Sequence, residues 1–229
     1  VLPLALPGIK HELKGLHRKD LLLFLMSGAF LALHFAVWIA SLSYTSVAAS
    51  VVLVTTNPIF VAIASSFIFH ESIGRLRYAG IAISVAGGAI IGSGETGGGH
   101  ALYGDFLALM GALLMTSYLL TGRRLRQRFS LLTYISVVYT TAALVLLGLC
   151  LASGASFYPY STRTYAMFLL LALVPQLIGH SSFNWALRHV SASFVAVAIL
   201  GEPVGATFLA YALLGETLTV SVGIGGALI

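Results

Sequence analysis

Residues 198–207 read AILGEPVGAT, with Glu202 and Pro203 side by side in an apolar run, and residues 54–63 read VTTNPIFVAI, with Asn57 and Pro58 side by side in another. Sliding the chain by 145 residues brings these stretches together and lays 40–84 over 185–229 without a gap. In that register Pro58 meets Pro203, Asn57 meets Glu202, Glu71 meets Glu216 and Gly80 meets Gly225. Only seven of the 45 pairs are identical, so identity carries little, and the weight rests on rare residue types coinciding in one register. Self-similarity at a fixed offset is the mark of a repeat architecture.

The composition says where such a repeat lives. Of the 229 residues 59% are hydrophobic and 8% charged, against roughly 25% charged in an average soluble domain. A mean hydropathy of +0.99 leaves too few polar residues to cover a soluble surface. A helix crossing the hydrocarbon core needs roughly 20 apolar residues. Stretches of that kind cover 21–43, 46–69, 77–94, 103–122, 131–152, 165–187 and 191–214. Residues 1–7 read as the end of a further helix and 219–229 as the beginning of one.

Basic loops stay cytoplasmic, and alternate connections carry Lys10, Lys14, Arg18 and Lys19, then Arg75 and Arg77, then Arg123, Arg124, Arg126 and Arg128, then Arg188. The intervening connections hold only Arg163, a split of eleven to one. The clusters follow topology rather than a single face, which argues against a nucleic-acid surface. The single cysteine, Cys150, excludes an internal disulfide or a multi-cysteine metal site.

By the basic-loop rule, 46–69 runs inward and its repeat partner 191–214 runs outward, so the two halves are inverted. Inverted repeats recur in secondary transporters, with the substrate site near the bilayer midplane where the halves meet. The expected fold is therefore an all-α polytopic membrane protein, an inverted repeat of two five-helix halves. One half covers 1–92 and the other 103–229. The offset predicts ten membrane helices in all, with the first helix, most of the second and the end of the tenth falling outside this sequence.

The paired stretches ASLSYTSVAASVVLVTTNPIFVAIASSFIFHESIGRLRYAGIAISVAGGAII (40–91) and NWALRHVSASFVAVAILGEPVGATFLAYALLGETLT (184–219) resemble the EamA-type repeats of the drug/metabolite transporter (DMT) superfamily. The shared features are a short break before a small-residue helix, a mid-helix proline, a Glu at the helix end and a Gly-rich helix after it. The resemblance implies a ten-helix inverted fold with both termini in the cytoplasm. It also implies a permease moving amino acids, other small metabolites or toxic compounds, commonly outward, by alternating access.

Several residues are candidates for that work. Glu202 falls near the midplane, where an exposed charge costs at least ~2.5 kcal/mol, so it must face a cavity, find a partner or be protonated. A structural glutamate bonded to nearby backbone is the alternative. Pro203 cannot donate to the carbonyl of Ile199, nor Pro58 to that of Val54, which predicts paired helix kinks. Gln176, His180 and Asn184 are four apart and predict one polar helix face; His34 and Trp38 share a face of another helix, and Tyr118 comes late in a third. A polar stripe on a membrane helix turns toward protein or water. The expected substrate cavity is lined by His34, Trp38, Asn57, Tyr118, Gln176, His180, Asn184 and Glu202, with interhelical hydrogen bonding or packing as the alternative role for each.

Other motifs fall away. GSGETG at 92–97 matches a dinucleotide pattern in form but follows a membrane helix rather than a strand. His70–Glu71 lacks the second histidine of a zinc motif. Gly80, Ser84, Gly88 and Gly92 offer a smooth face for close packing, within a monomer or alternatively in a homodimer. The reading is a transporter in the inner cell membrane, acting on a small molecule with no metal or cofactor and no enzymatic step. The alternatives are a membrane-embedded enzyme using His180 and Glu202 on a lipid, or a non-transporting membrane subunit.

Overall fold

A computed structural model describes residues 9, 12, 14–69, 74–93, 98–215 and 220–228. The helix end at 1–7, Lys10, the His70–Glu71 pair, the 94–97 part of GSGETG and the Glu216 match lie outside those residues. Among the described residues the chain is all helical. The helices are α1 (Arg18–Ser41), α2 (Val47–Val54), α3 (Asn57–Ile68), α4 (Arg75–Ser93), α5 (Gly98–Arg126) and α6 (Leu131–Ala152). They continue with α7 (Thr162–Leu171), α8 (Ser181–Ala186), α9 (Ala192–Ile199), α10 (Glu202–Leu209) and α11 (Val220–Leu228). Two π-helical segments, Ala172–His180 and Ala210–Leu214, join α7 to α8 and extend α10.

Five described helices are long and apolar enough to cross a membrane: Arg18–Ser41, Ala49–Ile68, His100–Arg126, Leu131–Ala152 and Thr162–Ala186. Their ends obey local chemistry. Ser46, Ser130 and Ser161 are N-caps whose hydroxyls accept from the backbone three residues on. Helix α6 stops at Gly154, whose φ of +69° suits glycine. There the amide of Ala155 donates to the Cys150 carbonyl and that of Gly154 to Leu151, a Schellman closure.

The chain divides into two compact units, Val1–Ala32 with Tyr118–Ser191, and Leu33–Ser117 with Ala192–Ile229. In the first, Phe24 packs edge-on against Phe129 at 5.1 Å and tilts on Tyr134 at 6.1 Å. The Ser27 and Tyr134 hydroxyls are hydrogen-bonded at 2.7 Å. At one end Arg128 pairs with buried Asp20 at 2.6 Å. Nearby, the Glu12 carboxylate accepts from the backbone N–H and the hydroxyl of Ser130, each at 3.1 Å, at the start of α6. Burial pushes the Glu12 carboxyl up, but hydrogen bonds from Thr133 and Ser130 and the charge of Arg126 outweigh it and hold it below its ordinary value.

The second unit holds both halves of the 145-residue match, and the match extends to the backbone. Helix α2 begins at Val47 and α9 at Ala192, and α3 begins at Asn57 and α10 at Glu202. Each pair is 145 apart. Helix α2 packs on α10, α3 on α9 and α4 on α11, the pattern of two broken helices crossing antiparallel.

The kinks expected at Pro58 and Pro203 are full interruptions instead. Thr55–Thr56 and Leu200–Gly201 are turns, and each proline is the second residue of a new helix. A missing N–H costs nothing in a first turn, where that donor has no intrahelical partner, and the fixed φ of proline suits the start. A small, open cleft lies at this crossing, lined in part by Thr55, Thr56, Pro58, Ser84 and Leu200.

Candidate functional site

Each unit gathers one set of the polar residues named above. In the first unit the set is built on Tyr118 of α5, Tyr139 of α6 and the π–α8 junction. Asn184 is fully buried, and its side-chain amide donates to the Tyr118 hydroxyl at 2.5 Å and to the Tyr139 hydroxyl at 3.3 Å. The Tyr139 hydroxyl is also hydrogen-bonded to that of Ser181 at 3.1 Å. The His180 ring tilts over Tyr118 with centroids 5.9 Å apart and meets Phe183 edge-on. Gln176 is half-buried one π-helical step earlier, and its Oε1 is a buried acceptor with no partner among the described residues.

The four-residue spacing of Gln176, His180 and Asn184 thus marks the protein-facing side of a helix that otherwise exposes apolar side chains such as Leu169 and Ile178. The stripe does not run along a continuous α-helix. Residues 172–180 follow a π register with Pro175 inside it, and π segments inside α-helices are frequent at functional sites.

In the second unit His34 and Trp38 stack with centroids 5.7 Å apart and planes 16° apart. The His34 Nδ1–H donates to the Gly111 carbonyl at 2.9 Å. Gly111 permits the approach, because a Cβ there would lie 3.2 Å from Val54 and 3.4 Å from Trp38. Asn57 is 1% exposed, and its backbone carbonyl accepts from the Thr116 hydroxyl at 3.4 Å. The Asn57 Oδ1 and Trp38 Nε1 are buried without partners among the described residues. Buried polar atoms of this kind need an explanation such as an unseen water or a ligand.

Glu202 opens α10 and is exposed, with no hydrogen bond or ion pair among the described residues. It matches Asn57 in register but differs from it in both burial and bonding.

The sequence reading missed several members of these sets. Tyr139 and Ser181 complete the Asn184 network. Thr55 and Thr56 close the first helix break with their hydroxyls. Arg126, counted among the loop cations, is 2% exposed and holds the Asn184 carbonyl at 2.9 Å. A usable signal was present: Tyr118, Gly122 and Arg126 recur every four residues and so share one face of α5. Among the described residues no group of histidine, cysteine and acidic side chains is placed to hold a metal.

Comparison with known proteins fits this geometry. The sequence profile of the EamA-like transporter family matches residues 1–93 and 102–229. The chain belongs to the EamA-like transporter family. It is accordingly a polytopic membrane protein of the DMT type, a permease by family. A solved crystal structure matches 98% of this chain and 88% of its own length with a TM-score of 0.68 at 17% identity, a likeness of fold. Among proteins of curated function none matches the sequence.

Proposed function

We propose that this EamA-family protein is a secondary transporter, an exporter of small metabolites such as amino acids or other amphipathic compounds, working by alternating access of two inverted repeats in the inner cell membrane. The observation that carries the reading is the pair of broken helices, whose segments start 145 residues apart and pack first half against second half. Discontinuous helices at the midplane are where transporters place their substrate and coupling-ion sites. The eleven-to-one distribution of basic residues supports the inversion and cytoplasmic termini.

In this reading the set of Tyr118, Gln176, His180 and Asn184, and separately the set of His34, Trp38 and Asn57, each present aromatic faces and hydrogen-bonding groups suited to a small substrate. Glu202 supplies a carboxylate able to carry a proton. A monomer suffices for this scheme.

The test is flux. Protein reconstituted in liposomes and challenged with pools of amino acids and metabolites is expected to exchange at least one pool. Absence of flux for every pool, together with turnover of a lipid, would sink the reading. Glu202→Gln is expected to remove the dependence of transport on a pH gradient, and an unchanged dependence rules this residue out as the proton carrier.

A further inference from the structure

We propose that Arg126 and Gln127 are positioning residues for the polar face of the Thr162–Ala186 helix, setting the rotation at which His180 and Asn184 are presented by holding the carbonyls at that helix's C-terminal end. The role rests on the transport reading of that face. The last carbonyls of a helix lack intrahelical donors and must find others. At the end of α8 the Phe183 carbonyl takes the Leu187 N–H at 2.9 Å and Trp185 takes Arg188 at 3.2 Å. The Ala186 carbonyl takes His189 at 2.8 Å and Val190 at 2.9 Å.

The backbone passes over Asn184, and the Arg126 Nε–H fills that place at 2.9 Å. The same guanidinium donates to the Phe129 carbonyl. Gln127 continues the cap, its side-chain amide reaching the Leu187 carbonyl at 3.3 Å and that of Arg188 at 3.4 Å.

The upstream segment is poorly suited to fix this rotation. Helix α8 is six residues long and follows nine residues in a π register that contains Pro175. The rotation is set from α5 instead, by a two-point clasp on one residue. Tyr118 accepts from the Asn184 side chain, and Arg126, two turns on, holds the Asn184 carbonyl. Gly122 between them leaves room, since a Cβ there would lie 2.7 Å from the Tyr134 hydroxyl and 3.2 Å from Leu187. Burying a guanidinium is costly unless its donors are used, and the partial negative charge of a helix C-terminus suits a cation. A planar fork can hold two carbonyls at once, which an ammonium does less well.

The test reads accessibility rather than activity. In a Cys150→Ser background, His180→Cys in proteoliposomes is treated with a small charged methanethiosulfonate, alone and combined with Arg126→Gln, Arg126→Met or Gln127→Ala. The thiol is expected to react in the parent, with its rate changed about tenfold by either Arg126 substitution and about threefold by Gln127→Ala, as befits the loss of a charged and a neutral hydrogen bond. Gln127 is exposed, so its variant decides the matter if the Arg126 variants do not fold. Rates within about twofold of the parent in every folded variant, a change too small for a lost hydrogen bond, overturn the positioning role and leave the transport reading intact. A thiol that is inert in the parent and reactive in the variants keeps the positioning role and sinks the transport reading of this face. One that is inert throughout overturns both.

Discussion

The two helix breaks occupy matching places in the repeat and are finished in opposite ways. In the first, the Thr55 hydroxyl donates to the carbonyls of Val51 and Val52 at 2.8 and 3.0 Å, and that of Thr56 to Leu53 at 2.7 Å. Asn57 then starts the next helix in a buried position. In the second, Leu200 and Gly201 have no hydroxyl to offer. Their amides bond to Val197 and Ala198 at 3.0 and 3.4 Å, and Glu202 follows in an exposed position. The repeat decides where the backbone breaks; the side chains decide whether the break is closed. One repeat therefore holds a bonded joint and the other an open one.

Four variants try this contrast, each followed by thermal unfolding in detergent. The largest effect is expected from Asn57→Asp, which places a carboxylate at a buried midplane site and should cost about 3 kcal/mol, the order of insertion penalties for a charge. Thr55→Val with Thr56→Val should cost about 2 kcal/mol, roughly 1 for each hydroxyl whose bonds are lost. Gly201→Ala should move the other way, stabilising by about 0.5 kcal/mol through loss of freedom in the unfolded chain. The new Cβ has room, its nearest neighbour being the Ala198 carbonyl at 3.6 Å. In a flux assay the same variant should slow transport if the open joint bends during the cycle. Glu202→Gln, which removes a carboxylate that has no partner among the described residues, should not destabilise the fold. If Asn57→Asp and Glu202→Gln prove equally harmful, the two joints are alike and the contrast fails.

Much of this architecture was legible in the sequence. The span 131–152 coincides with α6, because a serine cap and a Gly154 stop bound an uninterrupted apolar run. The offset of 145 was visible through Pro58 and Pro203 and proves to govern the helix starts. The kind of distortion was not legible. A proline removes one N–H whether a helix kinks or stops, and the outcome depends on the donors that the preceding residues find, which are set by packing. Arg126 was misread because counting cations by loop treats each as solvated, whereas α5 runs four residues beyond its expected end at 122 and carries this one into the interior. The π register of 172–180 has no periodic signal of its own; Pro175 marked an irregularity there without giving its form.

The carboxylate of Glu12 at the start of α6 makes the acid side of the stability curve informative. Its folded-state proton affinity is lowered relative to the ordinary value of 4.5, so folding favours the ionised form. The stabilisation it gives is present in full above that value and is lost as the pH falls through the lower folded value. Acid titration of unfolding should therefore show a loss of stability below about pH 4.5 that is reduced in Glu12→Gln, the neutral amide having no proton to take up.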